Sequence, residues 1–264
     1  MTFQLRRGRA PLLVSIPHMG TEIPRELRGD YVERALEIED ADWHLDRLYA
    51  FAQDLGASVL QPKFARYVID LNRPPDDAPM YPGASNTELC PTRFFTGDAL
   101  YREGRAPAPQ VRQQRREAYW QPYHDALRAE LDRIRAEHGY ALLWDAHSIR
   151  AEIPWLFEGR LPDLNIGTAD GRSADASIAQ AVAAAAARHR FSHVLNGRFK
   201  GGYITRQYGR PAEHVHAVQL EMCQCLYMRE APPWNWEEAA ARQVQPVVRE
   251  MVEAALDAAR RLHA

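Results

Sequence analysis

The chain has 264 residues, a formal net charge of −2 and 46% apolar residues. That balance supplies a sizeable core and gives no bulk attraction to nucleic acid or a membrane surface. No run approaches about 18 consecutive apolar residues, so no membrane span is expected. The basic first ten residues lack an apolar stretch, so no signal peptide is expected. Three cysteines, Cys90, Cys223 and Cys225, fit a reducing cytoplasm better than a disulfide framework, and Cys223 and Cys225 are expected as buried thiols.

Residues 11–17 are a short apolar run closed by a proline and read as a strand. Residues 43–54 place Leu45, Leu48, Tyr49 and Ala52 on one helical face, with Asp40 or Asp42 as cap and Gly56 as stop. Residues 57–60 and 66–71 read as two further strands, the second stopped by Pro74 and Pro75. Residues 74–109, rich in Pro, Gly, Asp and Thr, are long for a loop and suggest a lid or rim. A periodic helix covers 110–138 and ends at Gly139. Residues 140–144 are the clearest buried strand. After an irregular stretch come an Ala-rich helix over 173–189, short strands at 194–195, 203–204 and 217–220, and a helix from about 236 to the last residue. Alternation of strands and helices predicts a single-domain α/β fold, with a mostly parallel or mixed sheet covered by helices.

Open α/β sheets build sites beyond the carboxyl ends of their strands. His18 and His147 both follow apolar strands, and neutral imidazole is a preferred zinc ligand. A catalytic zinc takes three protein ligands and an open position, so a carboxylate completes the set, and Glu22, Asp42 and Asp46 all qualify. Asp145 reads as a partner orienting a ligand histidine or as a turn cap. Glu221 ends an apolar strand, where a carboxylate is either ion-paired or a general base for an activated water. Arg66 and Arg73 bracket one predicted strand. Arginine suits carboxylate binding and oxyanion stabilisation, and Asn72 adds a donor.

These segments together resemble the N-formylglutamate amidohydrolases: Ser15 to His18 with Gly20, Asp42-Trp43-His44, Arg66 through Pro74, Leu143 through Arg150, Leu195 through Gly202, and Val218 through Glu221. The resemblance runs over nearly the whole chain and implies one catalytic domain over 1–264. It also implies a three-layer α/β/α fold akin to zinc carboxypeptidases and aspartoacylase-like enzymes. That wider group carries His-x-x-Glu, whereas position 21 here is Thr21, so the resemblance points to Asp42 as the carboxylate ligand beside His18 and His147. It implies a divalent metal, zinc above iron, cobalt or manganese, with Glu221 as base and Arg66 on the oxyanion. The implied substrate, N-formyl-L-glutamate from the last step of a histidine degradation route, has two carboxylates. Asn72 and Arg73 would grip one; Arg198, Lys200 or Arg206, around the Gly201-Gly202 turn, would grip the other. Trp155 or Phe157 would narrow the acyl pocket. Hydrolysis of another N-acyl acidic amino acid, or metal-free binding of a dicarboxylate, is the alternative.

Overall fold

The computed structural model describes residues 1–80 and 87–264. Seven strands form one mixed sheet: β1 (Phe3–Arg6), β2 (Leu12–Ser15), β3 (Ser58–Pro62), β4 (Ala141–Ile149), β5 (Leu164–Gly167), β6 (His193–Leu195) and β7 (Val215–Cys223). Their spatial order is β1-β3-β2-β4-β7-β5-β6. The centre, β3-β2-β4-β7, is parallel. β1 and β5 join it antiparallel, and β6 lies parallel to β5. Both β4 and β7 are buried along all nine residues, as expected for central strands covered on both faces.

The helices divide between the two faces. One apolar cluster packs the α1 turn (Leu45–Leu48), α4 (Ala176–Ala187) and α6 (Glu238–Leu262) against Leu12, Val14, Leu142, Trp144 and Val218. The other packs α3 (Gln121–His138) and α5 (Tyr203–Tyr208) against Leu13, Leu143 and Ala217. Alternate residues of each strand feed opposite clusters, as a pleated strand requires. Each large side chain fully buried in this way, Trp144 among them, contributes about 1.5–3 kcal/mol relative to exposure. A short helix α2 (Pro109–Arg115) runs through a π-turn into α3. Gly139, at φ 82°, closes α3, a left-handed position that glycine takes without strain. Asp175 caps α4 by accepting the Ser177 N–H. Among the described residues no helix is long and apolar enough to cross a membrane.

The structure departs from the sequence reading in four places. Residues 66–71 are not a strand: Val68 N–H bonds to Ala65 O in a turn, and Asp70 N–H reaches Leu89 O. β2 already has β3 and β4 beside it, and β1 occupies the far side of β3. Tyr67 and Val68 therefore bury in a satellite cluster, and Ile69 in the cluster under α3. The β-branched pair Ile204-Thr205 lies in α5, because packing Ile204 and Tyr208 against the sheet outweighs local preference. The helix expected over 43–54 is only the α1 turn followed by a 3-10 turn. β1 and β5, whose four residues mix polar and apolar side chains, carry no strand signal in the sequence. Within the 74–109 segment, 81–86 lie outside the described residues, and so does any lid motion assigned to them.

Candidate metal centre and active site

The site sits at the carboxyl ends of β2, β4 and β7. In-register pairing sets its core: Asp145 lies beside Gln219 and His147 beside Glu221. Paired residues of neighbouring strands share a face, so four polar side chains form one patch without any loop positioning them. His147 is thus inside β4, not after it. His18 arrives from the turn after β2, and its carbonyl accepts the Asp42 N–H at 3.0 Å. That bond draws the start of the α1 region to the sheet.

Asp42 Oδ2 lies 3.3 Å from His147 Nδ1 and 3.8 Å from His18 Nδ1. It also accepts the Ser148 N–H at 3.2 Å. The three side chains are buried and offer ligand atoms within 4.8 Å of one another. Of the other carboxylates considered, Glu22 is half-exposed and pairs with Lys63. Asp46 is exposed on α1 and lines a separate hollow with Tyr49 and Gln53. Only Asp42 joins the two histidines.

The far ring nitrogens are held from behind. His18 Nε2 lies 2.6 Å from Asp70 Oδ1, so it donates and leaves the Nδ1 lone pair facing inward. His147 Nε2 lies 3.2 Å from Asp145 Oδ1 and 3.1 Å from Asn72 Nδ2. A carboxylate partner of the kind Asp70 is to His18 fixes the ring and raises its basicity. Burial, aided by Arg66, pushes the His18 pKa down against the pull of Asp70. At His147 burial works the same way, but Asp145 and Asp42 outweigh it and hold the pKa well above the usual value. Four buried acidic groups, Asp42, Asp70, Asp145 and Glu221, face one buried arginine, Arg66. Two imidazoles, a carboxylate and surplus negative charge suit a divalent cation.

Arg66 donates from Nη2 to Asp70 Oδ2 at 2.6 Å, and its guanidinium lies 4.6 Å from the centre of the Phe95 ring. Phe95 is anchored by its own N–H on Asp40 Oδ2. Asp40 in turn accepts from Tyr67 and Arg150. Asn72 takes its N–H to Asp70 and its Oδ1 to the N–H of Ile204 in α5. Gly202 makes that approach possible, since a Cβ there would fall 2.2 Å from the Asn72 amide. Glu221 faces the same cavity, and burial pushes its pKa up to about 8 against the pull of His147.

Arg73, Thr87, Phe95, Ser148, Phe157, Arg198 and Gln219 also line this cavity. Arg73 donates to the Thr87 carbonyl and hydroxyl. Arg198 lies over the Phe157 ring and bonds the Leu156 carbonyl. Lys200 instead pairs with Asp170, 3.1 Å away, and Arg206 donates to Gly201 O and Met80 O. Neither belongs to the described lining. Trp155 is also outside it, partly exposed and laid across Gly97. The sequence reading left Asp70 and Phe95 without a role. A carboxylate inside the apolar run 66–71 is a usable signal for Asp70; Phe95, in a segment without periodicity, offered none.

A family model described as N-formylglutamate amidohydrolase matches residues 10–228. The chain belongs to the N-formylglutamate amidohydrolase family. It is 51% identical over 251 residues to an N-formylglutamate deformylase of Pseudomonas putida, covering 95% of this chain and 94% of that one. A second N-formylglutamate deformylase, from Pseudomonas aeruginosa, is 52% identical over 252 residues with the same coverage. The crystal structure of an N-formylglutamate amidohydrolase from Ralstonia eutropha JMP134 superposes with a TM-score of 0.80 at 26% identity, covering 98% of this chain and 97% of that one. Members of this family are amidohydrolases by name, and the cavity just described is where this member carries clustered polar chemistry.

Proposed function

We propose that the chain hydrolyses N-formyl-L-glutamate to L-glutamate and formate, as one catalytic domain, with a divalent metal in the buried His18-Asp42-His147 cluster. The observation that carries this reading is the common cavity: the three ligand candidates, the carboxylate of Glu221 and the cations Arg66, Arg73 and Arg198 all line it. The two Pseudomonas relatives carry the name of the reaction. In that role the chain would complete a histidine degradation route.

A metal held by His18, Asp42 and His147, zinc by preference for this ligand set, would supply Lewis acidity and lower the pKa of a water. Glu221 accepts the proton of the attacking water and delivers it to the leaving nitrogen. Burial favours the protonated form of this carboxyl, so it holds the proton it accepts more readily than an exposed carboxylate would. Arg66, held rigid by Asp70 and the Phe95 face, donates to the oxygen on which negative charge builds. Arg73 binds one substrate carboxylate, with the Asn72 amide beside it. Of the three basic residues considered for the other carboxylate, Arg198 lines the cavity and takes that role.

The test is formate release from N-formyl-L-glutamate by purified protein, with chelator and after metal return. Chelator-sensitive release restored by zinc supports reaction and metal together. Release that a chelator leaves intact overturns the metal reading, and no release by metal-loaded protein overturns the substrate reading.

A further inference from the structure

Cys223 is buried as expected and Cys90 is buried too, but Cys225 is exposed. Cys223 ends β7, and Gln224 begins the 3-10 turn that carries Cys225. Both sulfurs face the 160–162 segment: Cys223 Sγ lies 3.9 Å from Leu161 O, which also accepts from Arg160 Nη1 at 3.2 Å. Arg160 directs Nη2 toward Cys225 Sγ at 3.7 Å while holding Asp163 at 3.0 Å with the same nitrogen. The turn is fixed from below: Glu230 accepts the N–H groups of both Cys225 and Ala151 at 2.9 Å. Cys223 points its sulfur at the carbonyl of Pro162, 3.4 Å away. None of these groups belongs to the proposed hydrolytic machinery.

We infer that Cys225 and Cys223 form a thiol–disulfide exchange site, open to a low-molecular-weight disulfide, with Cys225 as the attacking and Cys223 as the resolving sulfur. Exchange needs an accessible thiolate near a cation, then a second thiol within reach. Cys225 provides the first. The neighbouring Cys223 thiol lowers its pKa, and the same neighbour, together with burial, raises that of Cys223. Exposure of Cys225 and burial of Cys223 separate the attacking and waiting roles.

The Cys225 thiolate attacks one sulfur of the disulfide. A bond forms between them, the old S–S bond breaks and one thiolate departs, taking a proton from solvent. Cys223 then gives up its proton and attacks the Cys225 sulfur, expelling the second thiolate. The protein dithiol is oxidised to a disulfide, and the small disulfide is reduced to two thiols.

The probe is oxidised glutathione with the folded, metal-loaded protein, read by intact mass and peptide mapping. The expected product is a protein lighter by two hydrogens with Cys223 joined to Cys225. Cys223→Ser is expected to stop at a mixed disulfide on Cys225. Cys225→Ser is expected not to react, and Arg160→Gln to react several-fold more slowly. A wild-type protein that stays unmodified while its urea-unfolded form reacts overturns the site. So does a persistent mixed disulfide in the wild type, or modification at Cys90. Circular dichroism of the serine variants separates loss of reactivity from loss of fold.

Discussion

The two halves of the cavity are built in different ways. Asp145, His147, Gln219 and Glu221 stand on the paired strands β4 and β7, where backbone hydrogen bonds fix every position. Arg66, Asp70, Asn72, Arg73 and Phe95 stand on irregular chain, where side chains do the fixing. Asp70 alone meets His18, Arg66 and the Asn72 N–H. A change on the strand side therefore removes one function and leaves its neighbours in place. A change on the loop side releases several groups at once.

The largest effect tests the strand side. Glu221→Gln should lower kcat by about 10²–10⁴-fold, the usual range for a lost acid–base group, with metal content and thermal stability unchanged. Metal analysis beside steady-state kinetics checks this. A variant that keeps near-normal turnover removes Glu221 as base, and one that loses its metal joins it to the ligand set.

Asp70→Asn tests the loop side. It leaves Arg66 buried beside a neutral amide and takes the charge from behind His18. Metal affinity and kcat/KM should each fall about 10–100-fold, as for other lost partners of ligand histidines, and the melting temperature should fall with them. If only kcat changes, the loop half is as modular as the strand half and the contrast fails.

This division also governs how much of the molecule is legible in its sequence. β4 and β7 are apolar runs whose register partners carry the polar groups, so His147, Asp145 and Glu221 could be singled out from residue order alone. The family likeness added Asp42, but spacing could not separate it from Glu22 or Asp46. What selects it is a backbone bond to His18, 24 positions away in sequence, and a side-chain approach to His147. The run 66–71 has the composition of a strand, yet composition reports only that a segment buries itself. It does not report that both places beside β2 are already filled. Phe95 reaches the site through an Asp40 contact spanning 55 residues, a relation no local pattern encodes.

Phe95 sharpens the comparison at the substrate. Its ring lies against Arg66, so under the proposed mechanism it borders the acyl carbon and leaves room for a hydrogen rather than a methyl group. Phe95→Ala should move the ratio of kcat/KM for N-acetyl- over N-formyl-L-glutamate upward by about 10-fold or more, the scale of one methyl group in a tight pocket. Paired assays decide it. Equal losses on both substrates would reduce Phe95 to a support for Arg66.

The smallest effect concerns what lies beneath the loop half. His124, on α3, is buried between Trp120 and Tyr208. Its Nε2 donates to Leu71 O, just before Asn72, and its Nδ1 accepts from the Tyr208 hydroxyl, both at 2.9 Å. Burial pushes its pKa down to about 3, whereas an unfolded histidine titrates near pH 6.5. Between those values the unfolded chain binds the extra proton. Stability is therefore intact above about pH 6.5 and falls as the pH drops toward 3. At pH 5 the loss from this residue is about 2 kcal/mol, at about 1.4 kcal/mol per pH unit. His124→Gln keeps a donor for Leu71 O and cannot titrate, so its urea-unfolding free energy should fall less than that of the wild type between pH 7 and pH 5. Parallel pH curves for the two proteins would mean that acid acts elsewhere and that the support beneath Asn72 is no weaker in acid than the strands beside it.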